Sequence, residues 1–565
     1  MVSRLFNRII IYTCIVFLFI SNFIVLCSPV SINQNNRQYI DIDSGHILFA
    51  PMNSQTTYLI NKSGAVTYTW ESNYLPGEAV YWVNDGTIIR TIKIVPLANG
   101  AGGGFQKITW DGTVVWEYRY YDDQVLSHHD IEPLPNGNVL MIAWETKTKA
   151  EAIAAGRIPN KVGSIFRPDH VIEVKQTGAI SGEIVWEWHV WDHIIQDFDS
   201  AKENYGVVQN HPELIDINYG NSKEDWLHCN SIDYNENFDQ ILICSKYFHE
   251  IWVIDHSTTT AEAAGHMGGN SGRGGDILYR WGNPVTYRAG TVDDEMLFSQ
   301  HDASWIESGC LGAGNILIFN NGKNRPNIQY SSVDEIIPPV DNYGNYILVP
   351  GNAYGPQAPI WSYIDNPLTN FYADFLSGCQ RLPNGNTLIC DGPAGRFFEV
   401  TPEKETVWEY VNTYPAPLFN NVFKIQYIAQ EDPSEESDLK CDGTLQWNNI
   451  KKNEKVNGSF TLQNIGNSSS ILNWTISSFP IWGIWEFTPG SGEGLTPEQG
   501  SVIVNVSVVA PDKRNRQFQG SLVIVNTNNP QDFEIIPTYL KTSFSKYSIS
   551  NLKNHFIFKF IQRFF

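Results

Sequence analysis

The stretch "SHHDIEPLPNGNVLM", Ser127 to Met141, sets His128, His129 and Asp130 directly ahead of a short apolar strand. Related triplets stand ahead of three more strands: "LHC" at 227–229, "QHD" at 300–302 and "LSG" at 376–378. His129, His228 and His301 thus share one repeat position. Neutral imidazoles can ligate zinc or copper. An imidazole can also be a nucleophile, or a general base titrating near neutral pH. Protonated, it joins Arg and Lys in holding an oxyanion. Lys323 and Arg325, in "IFNNGKNRPNIQY" (318–330), follow the strand that His301 begins. Several histidines with an arginine suit phosphate or sulfate, where charge-assisted hydrogen bonds to several oxygens add up. His170, His189, His211, His249 and His266 lack the shared position and read as surface or hydrogen-bonding residues.

What must position these side chains is a repeat. Asn-Gly or a relative precedes an apolar run in "VNDGTIIRTI", "LPNGNVLMIA", "NENFDQILICS", "GAGNILIFNN" and "LPNGNTLICDG". Alternating with these are phrases built on a tryptophan, at Trp70, Trp116, Trp186, Trp281, Trp361 and Trp408. One such pair of hairpins is too small to bury its own face, so copies must close in a ring. About six copies of four antiparallel strands, between residues 38 and 430, predict an all-β chain containing a six-bladed β-propeller. The tryptophans then fill the wedges between blades. The innermost strand of each blade lines the central channel, and its first residues sit at one mouth, so histidines far apart in sequence converge on one axial pocket.

The rest of the composition agrees. The 565 residues exceed one ordinary core. A net charge of −22 without a basic stripe argues against nucleic acid as a partner. After an acidic, Pro/Ser-containing linker at 431–438, alternating strands over 439–543 predict an immunoglobulin-like β-sandwich. Arg4 and Arg8 precede an apolar run from Ile9 to Cys27, so residues 1–29 read as a signal peptide or N-terminal membrane anchor and the chain as exported to the cell surface or beyond. Asn-X-Ser/Thr sequons start at Asn61, Asn457, Asn467, Asn473 and Asn505. In the tail, 544–565, Phe556, Phe560 and Phe564 share one helical face that suits a membrane surface or a partner. Cys379 and Cys390, and Cys229 and Cys244, flank hairpin turns symmetrically and are expected as disulfides or as buried thiols.

The motifs "HHDIEPLPNGNVL", "DWLHCNSIDY", "SQHDASWI", "NNGKNR" and "RLPNGNTLICDGPAGRFFEVT" resemble the arylsulfotransferase family of exported six-bladed propellers, over roughly residues 40 to 430. The resemblance implies transfer of a sulfuryl group from a phenolic sulfate ester to another phenol, through a sulfated histidine. It implies no cofactor and no resident metal. By motif, His228, His301, Arg325 and His129 would be catalytic, and His128, Lys323, Asn321, Asp302 and Ser377 would contact substrate. One departure stands out. The family's nucleophilic histidine comes late, after the arginine, whereas here no histidine lies between His301 and His555, and the matching blade begins Ser377-Gly378-Cys379. Either another histidine attacks, or transfer is direct, or the pocket only binds. A surface-binding propeller that lost its nucleophile and a metal- or quinone-dependent oxidoreductase are the competing readings.

Overall fold

A computed structural model describes residues 45–543 apart from 84–85, 98–99, 430–436, 467–469, 528 and 530–531. The apolar N-terminal segment, the C-terminal tail and Asn467 lie outside the described residues. Among the described residues no helix is long and apolar enough to cross a membrane. The chain divides into two units between Ala429 and Gln430.

Six four-stranded antiparallel blades make the first unit. Blades 2 to 6 run in chain order from the axis outward. Their innermost strands are Pro76–Val83, Val125–Pro133, Cys229–Asn235, His301–Trp305 and Gly378–Arg381. Blade 1 is assembled from both ends of the unit. His46–Pro51, Thr56–Asn61 and Val66–Glu71 supply three strands, and Val422–Ile428 comes back to pair with His46–Pro51 as the innermost one.

The tryptophan phrase explains how blades adhere. Each tryptophan lies on an outermost strand and donates its indole N–H to the next blade around the ring. Trp70 reaches Thr109 O, Trp116 Ser181 O, Trp186 Thr258 Oγ1, Trp281 Pro356 O, Trp361 Pro402 O and Trp408 Lys62 O, all at 2.7–3.2 Å. The big ring fills the wedge while its one polar atom stays satisfied.

Nearer the axis a second ring of bonds runs from blade to blade. The Asp130 carboxylate accepts from Ile232 N, Ser231 Oγ from Ala303 N, Asp302 from Cys379 N, Gln380 from Tyr427 N and Gln426 from Trp82 N.

Neither expected disulfide forms; the described cysteines are buried thiols. The reason is register. Cys379 pairs with Ile389 and Cys390 with Gly378, because the turn has three residues, Pro383 to Gly385, closed by Leu382 N on Asn386 O with Gly385 left-handed at φ +90. A shift of one residue sends the two thiols to opposite faces of the blade. Cys379 packs beside Phe319 and Phe371, Cys390 beside Phe49 and Phe397. In blade 4 a bulge between Cys229 and Ser231 does the same to Cys229 and Cys244.

The second unit is a β-sandwich of a four-stranded and a five-stranded sheet between Leu439 and Thr542. Alternating burial along Val502–Val509 and Gln517–Asn526 places Val504, Val506, Leu522 and Ile524 in one core with Trp447 and Trp474. Asn457 and Asn505 of the sequons are exposed.

Candidate functional site

Every innermost strand that carries a motif histidine is bulged at the channel mouth. The pairing slips between Ser127 and Ile131, between Cys229 and Ser231, and between His301 and Ser304. Bulges re-aim side chains, and here His129 and His228 both take φ 53, a left-handed backbone that non-glycine residues rarely adopt. Blade 2 has a bulge at the same place, and Glu78, at φ 136, pairs across to His129. The repeat position thus gathers Glu78, His129, His228 and His301 at one mouth.

The rings are in contact. His129 and His228 pack edge to face with centroids 4.6 Å apart, and Phe423 of blade 1 lies 6.1 Å from His129 and 6.3 Å from His301. His228 is the most completely oriented: Nδ1 is 2.5 Å from Asp225 Oδ2, and Nε2 is 3.4 Å from Lys246 Nζ. A carboxylate on Nδ1 fixes the proton there and turns the Nε2 lone pair toward Lys246. His301 is held through Nδ1 by Asn321 Oδ1 at 2.7 Å, while the Asn321 amide spans Ala373 O and Leu376 O. The Nδ1 atoms of His129 and His128 are 2.8 Å apart, and the Nε2 edge of His129 lies over Gly100, where a Cβ would come within 2.2 Å of it. His128 is set behind, stacked on Trp144 at 4.0 Å with Nε2 3.0 Å from Asp169.

Burial keeps these imidazoles neutral. It lowers His128 to about 3 and holds His129 and His301 well below the ordinary histidine value, helped by neighbouring cationic groups. His228 is lowered too, by burial, against the pull of Asp225. Burial alone would raise Asp225, but the hydrogen bond from His228 Nδ1 and the nearby Lys246 hold that carboxyl below its usual range. Glu78 goes the other way: burial pushes it up to about 8 despite Lys93 and Lys246.

The remaining predicted residues are distributed differently. Asn321 and His128 support the histidines from behind. Asp302 serves the channel, where Lys424 Nζ bridges Asp130 and Asp302 at 3.0 Å to each. Ser377 is fully buried and its hydroxyl is committed to backbone, donating to Phe375 O and accepting from Gly392 N. It is therefore no free contact for a substrate. Lys323 is half exposed and paired with Asp374. Arg325 is clasped between Phe298 and Tyr330, 5.0 and 4.3 Å from their centroids, and bonds Ser332 Oγ; its Nε is buried without a partner. Asp225, Lys246, Glu78 and Lys424 were not identified from sequence. Asp225 had a signal, a carboxylate three residues before His228 in "DWLHC"; the others have none outside the fold. At the far end of the same strands is a separate cavity of about 150 Å³ lined by Tyr81, Glu132, Asp233, Asp302, Arg381 and Lys424.

Comparison with known proteins bears on this site. Residues 47–441 match the family model described as Arylsulfotransferase (ASST). No curated protein matches the chain. Among solved structures, a protein of unknown function from Bacteroides caccae aligns at 12% identity and TM-score 0.38, over 68% of this chain and 100% of its own. Virginiamycin B lyase from Staphylococcus aureus aligns at 10% identity and TM-score 0.31, over 83% and 97%. A streptogramin B lyase aligns at 11% identity and TM-score 0.31, over 65% and 79%. Likenesses this distant carry no argument about function.

Proposed function

From the premise that the chain belongs to the arylsulfotransferase family, we propose that it is an exported sulfotransferase that moves a sulfuryl group from an aryl sulfate to a phenol, with His228 as the residue sulfated in between. The observation that carries this is the pairing of His228 Nδ1 with Asp225, which turns the Nε2 lone pair toward Lys246, a donor that a sulfate oxygen would draw away as the lone pair engages sulfur. The Nε2 lone pair attacks sulfur, the bond from sulfur to the aryl oxygen breaks, and the phenolate leaves. Asp225 balances the positive charge on the N-sulfated ring, much as a carboxylate steadies an imidazolium in acyl transfer. Lys246 and the unpartnered Nε of Arg325 are donors for sulfuryl oxygens. Glu78, protonated up to about pH 8, is a buried acid for the departing phenolate. A second phenol, giving its proton to the Glu78 carboxylate, then attacks sulfur as the nitrogen–sulfur bond breaks, which restores the neutral ring.

Ser377 is the specific observation that favours a second reading, a propeller that binds aryl sulfates without turning them over. The blade where the family's late histidine is expected offers only a hydroxyl tied to backbone. One experiment separates the two. The purified protein is incubated briefly with a chromogenic aryl sulfate, quenched and digested. Phenol release with label on the His228 peptide is the expected result. Label on another residue overturns the assignment of His228, and binding without release overturns catalysis.

A further inference from the structure

A second histidine cluster lies far from the motif positions, in the connection between blades 3 and 4 and in the glycine-rich insertion of blade 4. His193 ends the short 3-10 helix Val190–His193, and His266 and Asp276 bracket "HMGGNSGRGGD". Among the described residues these three alone offer His, Cys, Asp or Glu ligand atoms that all lie within 4.8 Å of one another. His193 Nδ1 is 3.0 Å from Asp276 Oδ1, and His266 Nδ1 is 2.7 Å from the same oxygen.

The hydrogen bonds of His193 make the cluster more than a surface ion pair. Its Nε2 is 2.8 Å from the carbonyl oxygen of Ala263, an atom that can only accept, so the ring proton is on Nε2. Nδ1 then turns a lone pair toward a carboxylate oxygen. Two acceptors do not hold each other at 3.0 Å unless something lies between them, a proton on the ring or on the carboxyl, or a metal ion. The surroundings fit the ion. A metal-bound histidine characteristically gives its other N–H to a carbonyl or carboxylate, and Ala263 is fixed for that purpose at the end of Thr260–Ala263, a turn with a capping box between Thr259 and Glu262. Trp188 stacks on His193 with 13° between the rings, and its indole N–H holds Gly275 O at 2.7 Å, beside Asp276. His193 and Asp276 are buried. His266 is exposed and borders a cleft of about 740 Å³ lined by Trp191, Ile194, His211 and Leu214.

We propose that His193, His266 and Asp276 form a binding site for a divalent first-row transition ion, zinc being the probe, with its remaining coordination position open to the cleft. Two imidazoles and one carboxylate are the donor set of a three-ligand zinc site that keeps room for water or a ligand. Seating an ion about 2.0–2.1 Å from each ligand requires His193 Nδ1 and His266 Nδ1 each to draw back from Asp276 Oδ1 by a few tenths of an ångström. The site is separate from the sulfuryl-transfer histidines, so its occupancy does not enter that chemistry.

The test uses the full chain, stripped with a chelator and titrated with zinc under calorimetry, with thermal unfolding followed in parallel. One ion per chain and a rise in unfolding temperature that chelator reverses are expected. His266→Ala removes an exposed ligand without disturbing the core, and should weaken uptake by about 10-fold or more. Asp276→Asn should abolish uptake, and cobalt in place of zinc should give the intense visible absorption of a four-coordinate site. Equal uptake by the parent and His266→Ala would place the ion elsewhere and overturn the proposal. So would absence of uptake by a folded chain together with two N–H protons on His193 in nitrogen-15 NMR, which would assign the site to a proton.

Discussion

The outermost and innermost strands of the same blades put the same repeat to opposite uses. On the outside, six tryptophans do one job six times, each reaching the next blade with its indole N–H. At the axis, the matching positions of successive blades hold Glu78, His129, His228, His301, a backbone-tied Ser377 and, next to them, Phe423. Uniformity suits the wedge, because every interface between blades has the same shape and any lapse opens a gap. Variety suits the axis, because a site needs different groups at one point, and the ring delivers one from each blade. A substitution at the rim should therefore be read as loss of packing, and one at the axis as loss of a particular chemical role.

The sharpest contrast comes from His228. Replacement by Asn, which tolerates the left-handed backbone at that position, should lower transfer by about 10³-fold or more, equivalent to about 4 kcal/mol of barrier. Thermal unfolding should barely move; a large fall in melting temperature with unchanged turnover per folded molecule would invert the comparison. At the rim, Trp116→Ala should cost about 3–5 kcal/mol of stability, measured by denaturant unfolding, with the turnover of the remaining folded protein intact. Lys424→Met tests an axial residue with a structural role. It leaves Asp130 and Asp302 buried without their shared cation, a loss of about 3 kcal/mol that acidification should partly reverse, as the carboxylates protonate. The smallest effect on stability is expected from Glu78→Gln, which also takes away the buried acid and should slow turnover about 10²-fold. The unfolded chain releases the Glu78 proton near 4.5, whereas the folded chain keeps it until about 8. Between those values the folded state holds the extra proton, so wild-type stability falls as pH rises across the window. The glutamine variant should lose that slope, seen as a melting curve less sensitive to pH.

The sequence disclosed the parts that repeat. The hairpin turns, the six tryptophans and the shared place of His129, His228 and His301 all follow from aligning copies. It was silent on contacts made once. Glu78 and Lys424 come to the axis through the closure of the ring, while Lys246 reaches His228 across the first hairpin of blade 4, and no spacing announces either. The thiols show how fine the margin is: a turn of three residues in place of two separates Cys379 from Cys390. His266 reads from sequence as an exposed or hydrogen-bonding residue, and it is both. Its partner His193 is near it only because the connection between blades 3 and 4 folds back onto the insertion of blade 4.

The seam of the ring has a consequence for how the protein comes into being. His46–Pro51 is made first and its axial neighbour, Val422–Ile428, last. Until the final strand emerges, a hydrogen-bonding edge stands open on the first blade, a template for any stray strand. Completion is therefore a single late event. The seam also makes the start of the ring arbitrary: its two ends are already bonded neighbours, so a chain begun at the exposed turn around Ile180 and linked across the seam should close into the same circle.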